Sequence, residues 1–168
     1  MVEPIKKESV FIMKKYFSIA LLLTLLMTLV CVSALADDVP PASEISENPN
    51  CAETEWYNPL RDDDFKLTYV SSSISKASST SINASATTES NKKASNIGGT
   101  ITVQQWKNNK WNKYHTIGFW DSGTSSNSIS KPVTVESGYY YRLSVTHSAS
   151  TLTESAAASS TTKSVYVD

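Results

Sequence analysis

Nucleophilic catalysis needs a nucleophile, a base and an orienting group within hydrogen-bond reach. The bases are scarce, since His115 and His147 are the two histidines of a 168-residue chain. Both fall on stretches that read as strands, and serine is so abundant that one near either histidine carries no signal. Each is therefore read as a polar residue on a strand face. Paired carboxylates for glycoside cleavage fare no better, because from Phe65 onward the acids are Glu89, Asp121, Glu136, Glu154 and the terminal Asp168. Asp62-Asp63-Asp64 could supply oxygens to calcium, but neither ligand spacing nor a loop glycine accompanies it, and it reads as solvated charge. No phosphate loop or metal-ligand spacing is found. The expectation is a protein that is not an enzyme and uses no metal and no cofactor.

The residues with the most binding potential lie in one hairpin, Ile101-Thr102-Val103-Gln104-Gln105-Trp106-Lys107-Asn108-Asn109-Lys110-Trp111. Asparagine tolerates positive φ, so Asn108-Asn109 can form the two-residue turn that matches strand twist. If Lys107 pairs with Lys110, Trp106 lies opposite Trp111 on one face and Val103 opposite Tyr114 on the other. Trp106, Trp111, Lys107 and Lys110 are then the candidate ligand-binding residues, a tryptophan pair flanked by lysines. Bases interleaved with aromatics also suit single-stranded nucleic acid, but the nine acids of residues 37–64 would compete for the patch. Aromatic pairs beside polar groups stack on sugars too. The alternative is a cross-strand pair that only braces the hairpin, worth ~0.2–1 kcal/mol. Exposure of the pair would favour ligand binding and burial would favour a structural role.

What must position these residues is set by a second stretch, Gly138-Tyr139-Tyr140-Tyr141-Arg142-Leu143-Ser144-Val145. Gly138 supplies a turn, and Tyr141, Leu143 and Val145 then alternate with polar residues, the period of a half-buried strand. Tyr141 stands where immunoglobulin-like and fibronectin-like sandwiches place a corner tyrosine, whose buried phenol needs a backbone partner. Val133 and Val135 form the preceding strand. From Phe65 to Asp168, 37 of 104 residues are Ser or Thr, ten are Lys or Arg and five are Asp or Glu, giving +5. Such a composition, with scattered Ile, Val and Tyr and no helical period, favours short strands. Strands are expected near Leu67–Lys76, Thr80–Glu89, Gly99–Lys107, Lys110–Trp120, Asn127–Glu136, Tyr139–Ser148 and Thr161–Val167. The fold class is all-β, an immunoglobulin/fibronectin-like antiparallel β-sandwich of about seven strands.

Residues 1–36 read as an upstream extension and a secretory signal peptide. Met13-Lys14-Lys15 looks like the true start, Ile19 to Val32 is the apolar region, and Ala34-Leu35-Ala36 the cleavage site. A transmembrane anchor would want a basic flank, whereas Asp37-Asp38 follows. Lipidation of Cys31 would want a small residue where Val30 stands. Residues 37–64 hold nine acids against Arg61, a net −8, with four prolines, and read as a disordered acidic leader. In it, Trp56, Tyr57 and Leu60 could dock on the domain, which spans 65–168. Once the signal is removed Cys51 is the single cysteine, so no internal disulfide can form. It is left as an idle thiol or a link between chains.

The signal peptide, acidic leader, Ser/Thr-rich strands, Trp111 hairpin and the Ser137-Gly138-Tyr139-Tyr140-Tyr141-Arg142 turn resemble small secreted proteins of unknown function from Gram-positive Firmicutes, over roughly Leu67 to Val167. The resemblance implies export and a β-sandwich, and it supplies no activity and no catalytic residues. The functional expectation is a secreted non-catalytic binding or adhesion module that recognises an extracellular glycan or a surface protein, free or retained at the cell surface. Nucleic acid is not an expected partner, and the membrane is met only through the signal peptide during export. The alternative is a secreted structural or effector protein with no small ligand. A membrane-active toxin is more remote, because Ile74, Ala77, Ile82, Ala84 and Ala86 are too few and too small for lipid-facing strands.

Overall fold

The computed structural model describes residues 38–58 and 64–168. The expected signal peptide, and Pro59, Leu60, Arg61, Asp62 and Asp63 of the leader, lie outside the described residues. A short 3₁₀ turn at Ala42–Glu44 precedes strands β1 (Cys51–Tyr57), β2 (Leu67–Ser78), β3 (Ser81–Ala94), β4 (Asn96–Trp106), β5 (Trp111–Asp121), β6 (Thr124–Thr134), β7 (Tyr139–Ser150), β8 (Ser155–Thr161) and β9 (Val165–Val167). They form two antiparallel sheets, ordered β1-β2-β3-β6 and β5-β4-β7-β8, with β9 continuing the outer edge of β7 beyond β8. The chain passes between sheets from β3 to β4, from β5 to β6 and from β6 to β7. This is a fibronectin-like Greek key, with β1 added at the edge of the first sheet.

Alternation builds the core, because successive side chains on a strand point to opposite faces. Ile82, Ala84, Ala86 and Thr88 of β3 are buried, and so are Ile101 and Val103 of β4 and Tyr141, Leu143 and Val145 of β7. Gly138 takes φ +84°, a conformation that favours glycine, and its N–H donates to Val167 O at 2.6 Å. That turn aims Tyr141 inward with 0 % exposure. The phenol donates to Glu136 O (2.9 Å) and accepts from Glu136 N (3.1 Å) and Gln105 Nε2 (2.8 Å). This is the corner arrangement, and burial pushes the Tyr141 phenol up to about 12.

Among the described residues nine strands stand where about seven were expected. β8 is Ser-Ala-Ala-Ala-Ser-Ser-Thr, without the β-branched and aromatic residues that signal a strand. It pairs with β7 from Ser144↔Thr161 to Ser150↔Ser155. The second addition corrects the expectation of a disordered leader over the described part of 37–64. β1 pairs with β2 along its whole length, from Cys51↔Ser75 to Tyr57↔Tyr69. It needs little apolar area of its own, because an edge strand gains backbone hydrogen bonds from a sheet already formed. Ala52 is its one buried residue.

Candidate functional site

The hairpin tip closes as its asparagines require. Asn108 and Asn109 take φ of 58° and 57°, Lys107 N donates to Lys110 O at 3.0 Å, and Trp106 pairs with Trp111. Below the tip the register differs from expectation. Val103 pairs with His115 rather than Tyr114, because Tyr114 is an extra residue in a bulge. The bulge turns its ring to meet Tyr141 edge-on at 5.5 Å.

Gln105 points inward to Tyr141, so Trp106 belongs to the outer face of the second sheet, yet it is only 8 % exposed. The segment ahead of β1 crosses that face and straps it down. Asp38 accepts from the tip amides, Asn108 N to Oδ2 at 2.7 Å and Asn109 N to Oδ1 at 2.8 Å. Further along, Glu44 Oε2 accepts from Trp111 Nε1 at 2.6 Å and from Arg142 Nη1 at 3.1 Å. The strap ends against Ser164, which bridges Ile45 in parallel and donates from N to Glu44 O at 2.7 Å. Trp111 is edge-on to Trp106 at 5.1 Å and carries the Arg142 guanidinium on its face at 4.2 Å.

Of the four candidates, then, the structure brings Trp106 and Trp111 together beneath the strap. Lys107 Nζ sits over the Tyr139 ring at 5.2 Å, and Lys110 is exposed. Trp106 Nε1 has no hydrogen-bond partner. Trp106 is buried and Trp111 half-buried with Arg142 over its ring, which is the arrangement expected of a bracing role. Sequence reasoning missed Arg142, Glu44 and Asp38 here. Their partners lie 67 to 98 residues away in the chain, and no local pattern carries such a distance.

The histidines part company. His115 is exposed on β5. His147, expected on a strand face, has 0 % exposure and lies between the sheets. Its Nδ1 is 2.8 Å from Thr88 Oγ1 and its Nε2 is 2.9 Å from Ser160 Oγ, which in turn meets Ser72 Oγ at 2.9 Å. Phe119 stands edge-on to the imidazole at 6.4 Å. A serine, a histidine and a threonine in line have the parts of a nucleophile and base, but these are buried from solvent and serve one another. Burial holds the imidazole down at about 4. Among the described residues, no three His, Cys, Asp or Glu side chains gather where a metal ion could sit.

The exposed aromatics stand elsewhere: Trp56 and Tyr57 on β1, Tyr166 on β9 and Trp120 on β5. Trp120, at the far end of β5, is 51 % exposed. It pairs with Gly98 and shares the outer face with Gly118. A Cβ built on Gly118 would meet Trp120 Nε1 at 3.6 Å and Cδ1 at 3.8 Å, so the pyrrole edge of the indole leans along the strand toward that glycine. The sequence reading passed over Trp120 because nothing local marks it as different from an inward-facing tryptophan. The chain matches no protein-family model, and no curated protein or solved structure matches it.

Proposed function

We propose that the chain is an exported, non-catalytic binding module that recognises a glycan or a protein at the cell surface. The observation that carries this reading is Trp120, a large amphipathic side chain held half exposed on a sheet face. An aromatic that stays exposed on a folded surface is a common recognition element, since it offers a large contact area at small conformational-entropy cost. The burial of His147 with its serine and threonine partners supports the non-catalytic part, because a reacting substrate could not reach them. Export rests on the apolar segment and the small residues Ala34 and Ala36.

The test is a binding screen of the secreted protein against glycans, cell-wall fractions and surface proteins. Saturable binding to one of them is expected, and an absence of binding to every one would overturn the reading. A second reading, a structural protein with no small ligand, is favoured by the strap over Trp106 and Trp111, which spends the tip tryptophans on holding the N-terminal segment. That reading takes over if the screen is blank.

A further inference from the structure

Resting on the binding reading above, we propose that the outer face of the second sheet binds an uncharged polysaccharide chain, stacked on Trp120 and laid across β4, β7 and β8. Strand register sets out the surface. One row runs Trp120–Gly98–Ser148–Ala157, the next Gly118–Thr100–Thr146–Ser159, and the third Thr116–Thr102–Ser144–Thr161. Each row crosses four strands, so with interstrand spacings of about 4.8 Å it spans roughly 14 Å, the length of a short oligosaccharide. At one end the Nε1–Cδ1 edge of the indole leans toward Gly118, with Gly98 beside it. The rest of the indole is open, half of the residue being exposed, and a pyranose ring can set its C–H groups against such an aromatic.

The hydroxyls identify the ligand class. In these rows Thr100, Thr102, Thr116, Ser144, Thr146, Ser148, Ser159 and Thr161 are none of them buried, and their side chains have no hydrogen-bond partner in the described chain. The outer face of the first sheet, equally rich in Ser and Thr, is different. There Ser85 meets Ser130 at 2.9 Å, Thr87 meets Ser128 at 3.0 Å, and Tyr69 is bonded to Glu55 at 2.9 Å. One face has partly satisfied its hydroxyls internally, and the face that carries Trp120 has left them open.

Charge decides between neutral and acidic polymers. The three rows contain no ionisable residue, whereas the first sheet presents Glu53, Glu55 and Glu89 on its outer face. The next row toward the hairpin, beyond these three, adds Lys113 and Arg142 on either side of Gln104, and Arg142 is already held by Glu44 and Gln104. An acidic polysaccharide would lose hydration here without gaining a counter-charge; a neutral one exchanges water hydrogen bonds for hydroxyl ones.

The experiment is retention of the secreted protein on cellulose, xylan, mixed-linkage glucan and chitin, with heparin as the acidic comparison. The expected result is binding to at least one neutral polymer that persists when salt is raised, since uncharged contacts are not screened. Trp120→Ala should weaken it roughly tenfold or more with an unchanged melting temperature. The double variant Thr100→Val, Thr146→Val should weaken it too, which keeps the test open if the tryptophan variant misfolds. Trp111→Ala, at the strapped end, should still bind. Undiminished binding by both face variants would overturn the site, while salt-sensitive binding to heparin alone, or to a surface protein alone, would overturn the ligand class. In those cases the binding-module reading survives. A protein retained by no polymer and by nothing in the wider screen overturns both.

Discussion

Acid should unfold this protein through a residue that makes no ion pair. His147 is fully buried, and burial lowers its imidazole from 6.5 to about 4. The unfolded chain therefore takes up the proton first. Stability is full above about pH 6.5, falls as pH drops toward about 4, and loses nothing more from this group below that. At about 1.4 kcal/mol per unit, the shift is worth about 3 kcal/mol in total and about 2 kcal/mol at pH 5, a large part of a small domain's stability. The groups facing the ring, Thr88, Ser160 and Phe119, do not titrate in this range, so the loss belongs to the imidazole. Urea unfolding followed by tryptophan fluorescence, at pH about 7.5 and about 5, gives the two free energies. In His147→Gln the amide can still bond Thr88 and Ser160 but cannot charge, so the variant should start lower and lose about 2 kcal/mol less between the two conditions. If wild type and variant lose the same amount, the imidazole is not held neutral between the sheets and the reasoning fails.

Further expectations follow from the packing. Tyr141→Phe deletes a phenol bonded to Glu136 N, Glu136 O and Gln105 Nε2; it should cost about 1–3 kcal/mol by denaturant titration, since buried partners are left unpaired. Absorbance titration of the wild type should show one tyrosine ionising near 12. Leu143→Ala, at 0 % exposure, should cost about 2–5 kcal/mol through a cavity. Trp106→Ala should lower the melting temperature sharply, by about 3–5 kcal/mol of stability, because the ring is buried beneath the strap; a Trp106→Ala protein as stable as wild type would show the strap to be loose. Gly98→Ala should not fold, since φ is +149° and a Cβ there would meet Phe119 O at 1.8 Å.

Elements with a strong local signature were legible from the sequence. The Gly138 turn, the alternation through Val145 and the Asn108-Asn109 turn each carry their own backbone requirement, and each stands where that requirement puts it. The corner tyrosine was legible for the same reason, since a phenol at the start of that strand has one place to bond. β8 was not legible, because alanine and serine are accepted there by the neighbouring β7 and are not strand formers themselves. β1 was hidden by composition, as its acids point outward from a sheet that supplies its hydrogen bonds. The burial of His147 depends on Thr88 and Ser160 arriving from other strands. The tryptophans show the limit most plainly. Sequence identified Trp106 and Trp111 as a pair, but their enclosure was decided by a strap that docks across long separations, while Trp56 and Trp120 stay exposed.

That strap has a kinetic meaning as well as a packing one. Glu44 is bonded to Ser164 across a sequence separation of 120 residues, and Thr54 to Thr161 across 107. Both contacts close loops of more than a hundred residues, and loop closure of this kind slows folding. A segment made early must therefore wait for residues made late, since the partners of Glu44 at Trp111, Arg142 and Ser164 all lie far downstream. Quenching of tryptophan fluorescence by a soluble quencher during refolding should thus diminish in two phases, the slower one reporting the moment at which Asp38 and Glu44 find the hairpin.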